Sequence, residues 1–169
     1  DQQLALLLKE ESCVPIELPV PRIARVLEGP TPDLLLADLE QVWREQLQHA
    51  LVRGATPVLF SSRGELRCGS EREGRRLSRE LARLMARLAS AMAPSLGYLI
   101  SKGGTTTQTL LSEGLALRSL HLQGQLLPGL SLVLPSGGGR LQQLPILTFP
   151  GNLGDGGTLL LAWQRMQAG

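Results

Sequence analysis

The period of the apolar positions changes several times along this chain, and each change predicts an element. Gln3-Leu4-Ala5-Leu6-Leu7-Leu8-Lys9 reads as helix. Val14 to Val20 reads as extended, because Pro15 and Pro19 bias the residues before them away from helix, and proline inside a strand indicates a sheet edge. Gly29-Pro30-Thr31-Pro32-Asp33 then breaks the chain and starts a helix. In it Leu35, Leu36, Leu39, Val42, Trp43, Leu47, Ala50 and Leu51 recur at spacings of mostly three and four until Gly54 stops it, which places Trp43 in the core. Thr56 to Phe60 is a short buried strand running into Ser61-Ser62-Arg63-Gly64. From Ser70 a second long helix carries one stripe of Leu77, Leu81, Leu84, Leu88 and Met92 and another of Arg72, Arg76, Arg79, Arg83 and Arg87. Glu80 lies in pairing range of Arg76 and Arg83. The arginine stripe reads as a solvated face, and Pro94 ends the helix.

The last third is richer in glycine. Tyr98-Leu99-Ile100-Ser101 reads as a strand that enters Lys102-Gly103-Gly104-Thr105-Thr106-Thr107 and then a helix beginning around Gln108-Thr109-Leu110-Leu111. Such a turn leaves the first amides of the helix unpaired at the positive end of its dipole, where an anion is favoured. Short strands follow at about Leu117 to Leu122 and Ser131 to Leu134, separated by Gly124-Gln125-Leu126-Leu127-Pro128-Gly129. Ser136-Gly137-Gly138-Gly139-Arg140 reads as a hairpin loop, since no helix follows it. Pro145 to Phe149 is a strand, Pro150-Gly151-Asn152-Leu153-Gly154-Asp155 a loop, and Thr158 to Met166 a helix with Leu160, Leu161 and Trp163 on its apolar side. The pattern predicts an α/β fold: a three-layer domain with a mixed, largely parallel sheet flanked by helices. Two glycine loops at two strand ends predict a nucleotide cleft, because open α/β sheets bind ligands beyond the carboxyl ends of their strands.

Composition narrows the class. At 169 residues a single domain, 1–169, is expected, and 43% hydrophobic with 3% aromatic residues means a core built mainly of leucine and valine. A formal net charge of +2 implies neither a nucleic-acid nor a membrane surface as partner. No apolar run suits a membrane span or a signal peptide, so a cytoplasmic location is the expectation. Cys13 and Cys68 stand far apart without a CxxC pattern, and His49 and His121 are isolated, so the sequence predicts no metal site, and it names no catalytic residue. The chain opens within a helix and without an initiator methionine, as a fragment of a longer protein would.

The candidate chemistry lies in the loops. The sequence has no GxxxxGK[ST] and no GxGxxG, and Lys102 precedes its glycine pair, the wrong side for a Walker A lysine. Asn152 offers both a donor and an acceptor. Asp155 has two readings, a cap on the last helix or a carboxylate near Mg²⁺. Ser61-Ser62-Arg63 likewise reads either as a phosphate or acid-sugar contact or as a turn closed by serine side chains. If the glycine loops are only turns, the chain is a non-catalytic binding or interaction module.

Gly103-Gly104-Thr105-Thr106, Gly124 to Gly129 and Gly151-Asn152-Leu153-Gly154-Asp155 follow one another in an order that resembles the nucleotide-binding C-terminal domain of the four-carbon acid sugar kinases. In that family a GG[ED]T segment, a G-x-[IL]-x-PG segment and a GNFGD segment occur with similar spacing. Pro57 to Arg63 and Gln3-Leu4 extend the resemblance upstream. It implies the C-terminal part of a longer two-domain kinase that uses ATP with Mg²⁺ to phosphorylate acids such as threonate or erythronate. An N-terminal domain outside this chain would carry most of the acid-sugar site, and the fragment alone would be inactive; the question of a homo-oligomer stays open. By motif match Gly103, Gly104, Thr105 and Thr106 would line the nucleotide phosphates, with Gly151, Asn152 and Gly154 completing the pocket. A further ATP-contacting serine of the family would fall just before residue 1. Thr105 stands where the family carries an acid, and Gly156-Gly157 replace acidic residues, so the resemblance implies nucleotide contact more strongly than catalysis.

Overall fold

Alternation along one short strand organises much of the molecule. The computed structural model describes residues 2–62, 69–136 and 141–169. Their elements are α1 (Gln2–Leu7), β1 (Cys13–Leu18), α2 (Val20–Leu27), α3 (Pro32–Val52), β2 (Thr56–Ser61), α4 (Glu71–Met92), β3 (Leu99–Lys102), α5 (Gly104–Thr109), β4 (Leu120–Leu127), β5 (Leu130–Pro135), β6 (Ile146–Phe149) and α6 (Thr158–Ala168). In β6, Ile146 packs with Ala86, Leu110 and Val133, on the side of α4 and α5. Its neighbour Leu147, together with Phe149, packs with Leu7, Leu159, Ala162 and Trp163, on the side of α1 and α6. Successive residues of a strand point to opposite faces, so these contacts put helices on both sides of the sheet. Phe149 is 1% exposed, and a side chain so buried contributes about 1.5–3 kcal/mol. A third cluster joins Ile16 and Leu18 of β1 to Trp43 and Leu47 of α3 and Leu84 and Leu88 of α4, which confirms Trp43 as core.

The expectation of a largely parallel sheet is corrected. Hydrogen bonding among the described residues gives a two-stranded parallel sheet, β1 with β2, and a four-stranded sheet in the order β3-β6-β5-β4. In the larger sheet only β3 and β6 run parallel; β6 with β5 and β5 with β4 are antiparallel. Parallel neighbours need a crossover of a dozen or more residues, whereas β4 and β5 are separated by Pro128 and Gly129 alone and can only form a hairpin.

Two local readings also change. Gly124 to Leu127 lie inside β4 and not in a loop: the register shifts between Leu122 and Gly124, and Gly124 takes φ +138°, a bulge that lets a glycine sit within a strand. The extended segment stops at Leu18, and α2 begins at Val20 with Pro19 as its cap and Pro21 in its first turn, where a missing N–H costs nothing. Helix α3 ends as expected, with Gly54 at φ +72°. The glycine run 137–140, Arg63-Gly64 and Cys68 lie outside the described residues.

Candidate nucleotide site

Strands β3 and β6 lie side by side and parallel, with Lys102 opposite Phe149 at their carboxyl ends. Both glycine loops therefore leave the sheet at the same point. The Gly103 amide donates to the Phe149 carbonyl at 2.9 Å, and Gly103 takes φ +101°, a conformation open to glycine and strained for other residues. A Cβ built at Gly151 would stand 3.6 Å from the Gly103 Cα, so the two loops touch backbone to backbone. At Gly104 a Cβ would meet nothing within 4 Å, which leaves that face of the turn open.

The first loop is held to its strand by Thr107. Its hydroxyl lies 2.9 Å from the Ser101 hydroxyl and 3.2 Å from the Ser101 carbonyl, and its amide donates to Gly103. Thr105 is exposed and Thr106 half-buried. Lys102, which the sequence reading set aside, spans the two loops: its Nζ donates to the Gly151 carbonyl at 2.9 Å and lies 4.1 Å from the centre of the Phe149 ring. A lysine at the last position of a parallel strand, opposite an aromatic, was the available signal.

The second loop is built differently. Asp155 Oδ1 accepts from the Gly157 amide at 3.0 Å and the Thr158 hydroxyl at 2.8 Å, and the Asp155 amide donates to Thr158 Oγ1 at 2.9 Å. The Thr158 hydroxyl, and next the Gly157 amide, hold the Asp155 carboxyl below its ordinary value. Of the two readings of Asp155 the geometry favours the first in modified form: its carboxylate closes the turn that leads into α6, two residues ahead of the N-cap Gly157. Gly154 sits at φ +78°, where a Cβ would overlap the Thr158 side chain. Gln3 of α1 donates to the Leu153 and Asp155 carbonyls at 3.0 and 2.7 Å. A Cβ at Gly129 would press on Leu153 at 3.0 Å, so the Pro128-Gly129 turn of the hairpin closes against this same loop. Asn152 is exposed.

Among the described residues no group of three His, Cys, Asp or Glu could hold a metal ion. Burial, with a smaller contribution from Glu10, pushes the Cys13 thiol up to about 11, which makes it a packing group and no nucleophile. Ser62 closes a turn: its hydroxyl accepts from the Val20 amide at 2.8 Å. The arginine stripe is largely exposed, as expected, and part of it is paired. Arg87 reaches Glu40 of α3 at 2.9 Å, Arg83 bonds Glu113 at 2.9 Å and Glu80 at 3.1 Å, and Arg79 and Arg83 line a cavity together with Thr105.

A family model described as the nucleotide-binding C-terminal domain matches residues 1–159. The chain belongs to that family, in agreement with its resemblance to the C-terminal domain of the four-carbon acid sugar kinases. Among solved structures, a domain of unknown function from Bordetella bronchiseptica, crystallised with citrate as a domain-swapped dimer, is 20% identical with a TM-score of 0.68; the match covers 98% of this chain and 37% of that one. A second crystal form of it gives 19% identity and a TM-score of 0.64 over 98% and 36%. A Haemophilus influenzae protein is 14% identical with a TM-score of 0.65 over 96% and 36%. These likenesses show the fold, and the chain spans little more than a third of each relative. No curated protein sequence matches it. Among the described residues no helix is long and apolar enough to cross a membrane.

Proposed function

We propose that this chain is the ATP-binding part of a two-domain kinase acting on four-carbon sugar acids, with Gly103, Gly104, Thr105 and Thr106 along the phosphates and Gly151, Asn152 and Gly154 closing the pocket. One observation carries the reading: two glycine loops leave neighbouring parallel strands and meet at Gly103 and Gly151, the place where an α/β sheet receives a nucleotide. The open space at Gly104 lets a phosphate approach the backbone. The swapped dimer of the Bordetella relative favours a homo-oligomer here too. ATP supplies the transferable phosphoryl group, and Mg²⁺ would arrive on its phosphates. What this chain's residues do is position the phosphates; phosphoryl transfer depends on positioning and charge stabilisation, so this part is expected to bind nucleotide without turnover.

The second reading, a non-catalytic module whose glycine loops are turns, draws on Gly154 and Asp155, which the fold itself requires. Calorimetric titration with ATP and Mg²⁺ separates the two. Saturable binding is expected, weakened at least about tenfold in Gly104→Val with Tm held within about 2 °C, because valine in a helix is no worse than glycine. Absence of saturable binding at millimolar nucleotide, or parallel loss of affinity and Tm in the variant, would favour the turn-only module.

A further inference from the structure

A cavity of about 1030 Å³ opens between α4 and α5, lined by Arg75, Arg79 and Arg83 on one wall and Thr105, Gln108 and Ser112 on the other. Helix α4 and the segment after α5 meet at one point. Gly114, at the end of a π-helical turn over Leu110–Gly114, lies so close to α4 that a Cβ there would stand 2.9 Å from the Ala86 carbonyl, and the Ser90 hydroxyl donates to the Gly114 carbonyl at 2.7 Å. The helical segments are pinned there and leave the cleft between their remaining turns. Two carboxylates also line it, Glu71 and Glu113, and each is already engaged: Glu71 by Arg75 at 2.7 Å, Glu113 by Arg83 at 2.9 Å. Arg79 has no carboxylate bonded to it among the described residues, so the cleft holds one guanidinium without an ion-pair partner, while Arg83 is shared by Glu113 and Glu80.

We propose that this cleft is an oxyanion site, with Arg79 as its cation and Thr105 and Gln108 as hydrogen-bonding partners. A guanidinium matches the planar or tetrahedral oxygens of carboxylate and phosphate, and such charge-assisted bonds are about twice as strong as neutral ones. Thr105, which lines the cleft, immediately follows Gly104 of the β3 turn. The anion is therefore either a phosphate of the nucleotide itself, in which case the inference rests on the reading above, or the phosphate or carboxylate of a separate ligand.

Inorganic pyrophosphate is the probe. Titrated into the chain at low salt, it is expected to bind, with Arg79→Gln weakening it at least about tenfold and Arg76→Gln, on the same helix but outside the cleft, leaving it unchanged. Arg79→Lys should recover part of the loss, and unchanged Tm in all three variants excludes unfolding. If Arg79→Gln weakens ATP as well, the nucleotide's phosphates are the source; if ATP binds as before while pyrophosphate is lost, a separate ligand is. Absence of pyrophosphate binding, or equal losses in Arg76→Gln and Arg79→Gln, overturns the proposal. A failure of the nucleotide reading shows separately, as absence of saturable ATP binding or as parallel loss of affinity and Tm in Gly104→Val.

Discussion

The turns that follow β3 and β6 both contain glycines and both leave the same end of the sheet, but Gly104 in the first and Gly154 in the second serve opposite purposes. After β6, Gly154 is demanded by the fold: its φ of +78° and the Thr158 side chain beside it leave no room for a Cβ. That loop is then held by Asp155, Thr158 and Gln3, through hydrogen bonds of 2.7 to 3.0 Å. After β3, Gly104 borders open space. Helix propensity also favours almost any other residue there. A glycine that local structure does not require is better evidence of a ligand than one it does, so the β3 turn carries more of the functional argument even though the β6 loop has the longer motif.

The largest expected effect tests the structural side of this contrast. Gly154→Ala places a side chain in the left-handed region against Thr158, which should cost about 2–4 kcal/mol and lower Tm by about 5–10 °C in thermal melts. A melt unchanged from the parent would show that this loop is as free as the other. Acid should then reveal the cap. Because the Asp155 carboxyl is held below its ordinary value of 3.8, its contribution is complete above that value and is lost as pH falls through the lowered one. The Tm difference between the parent and Asp155→Asn should stay constant from neutral pH down to about 5 and close at lower pH. A difference that persists in acid would assign the effect to geometry and not to charge.

Much of this arrangement was legible in the sequence, for identifiable reasons. Trp43, the leucine stripe of α4 and the strand before Pro150 follow from periodicity, which reports burial directly. That both glycine loops leave strand ends was legible; that Gly103 meets Gly151 needed the pairing of β3 with β6. The direction of the larger sheet was not legible, because pairing partners depend on connection lengths: the expected loop at Gly124 hid a bulged strand, and with it the tight hairpin that makes the sheet mostly antiparallel. Helix α2 was hidden by Pro19 and Pro21, which read as extended unless the start of a helix is known to fall between them. Arg79 is exposed, as its stripe predicted, and it also borders a cleft, which periodicity alone does not report.

Gly151 lies between the two extremes, and the smallest expected effect concerns it. Its φ is outside the left-handed region, and a Cβ there would stand at an ordinary 3.6 Å from Gly103. Gly151→Ala should therefore fold with Tm within about 2 °C of the parent, and the loss of glycine's freedom in the unfolded chain could even raise it. The methyl group would nonetheless fill the strait where the two loops meet. If nucleotide phosphates enter there, ATP affinity should fall several-fold, less than in Gly104→Val because alanine adds a single carbon. Equal ATP affinity in parent and Gly151→Ala, alongside a loss in Gly104→Val, would confine the phosphates to the β3 turn and leave the β6 loop a structural neighbour of the site.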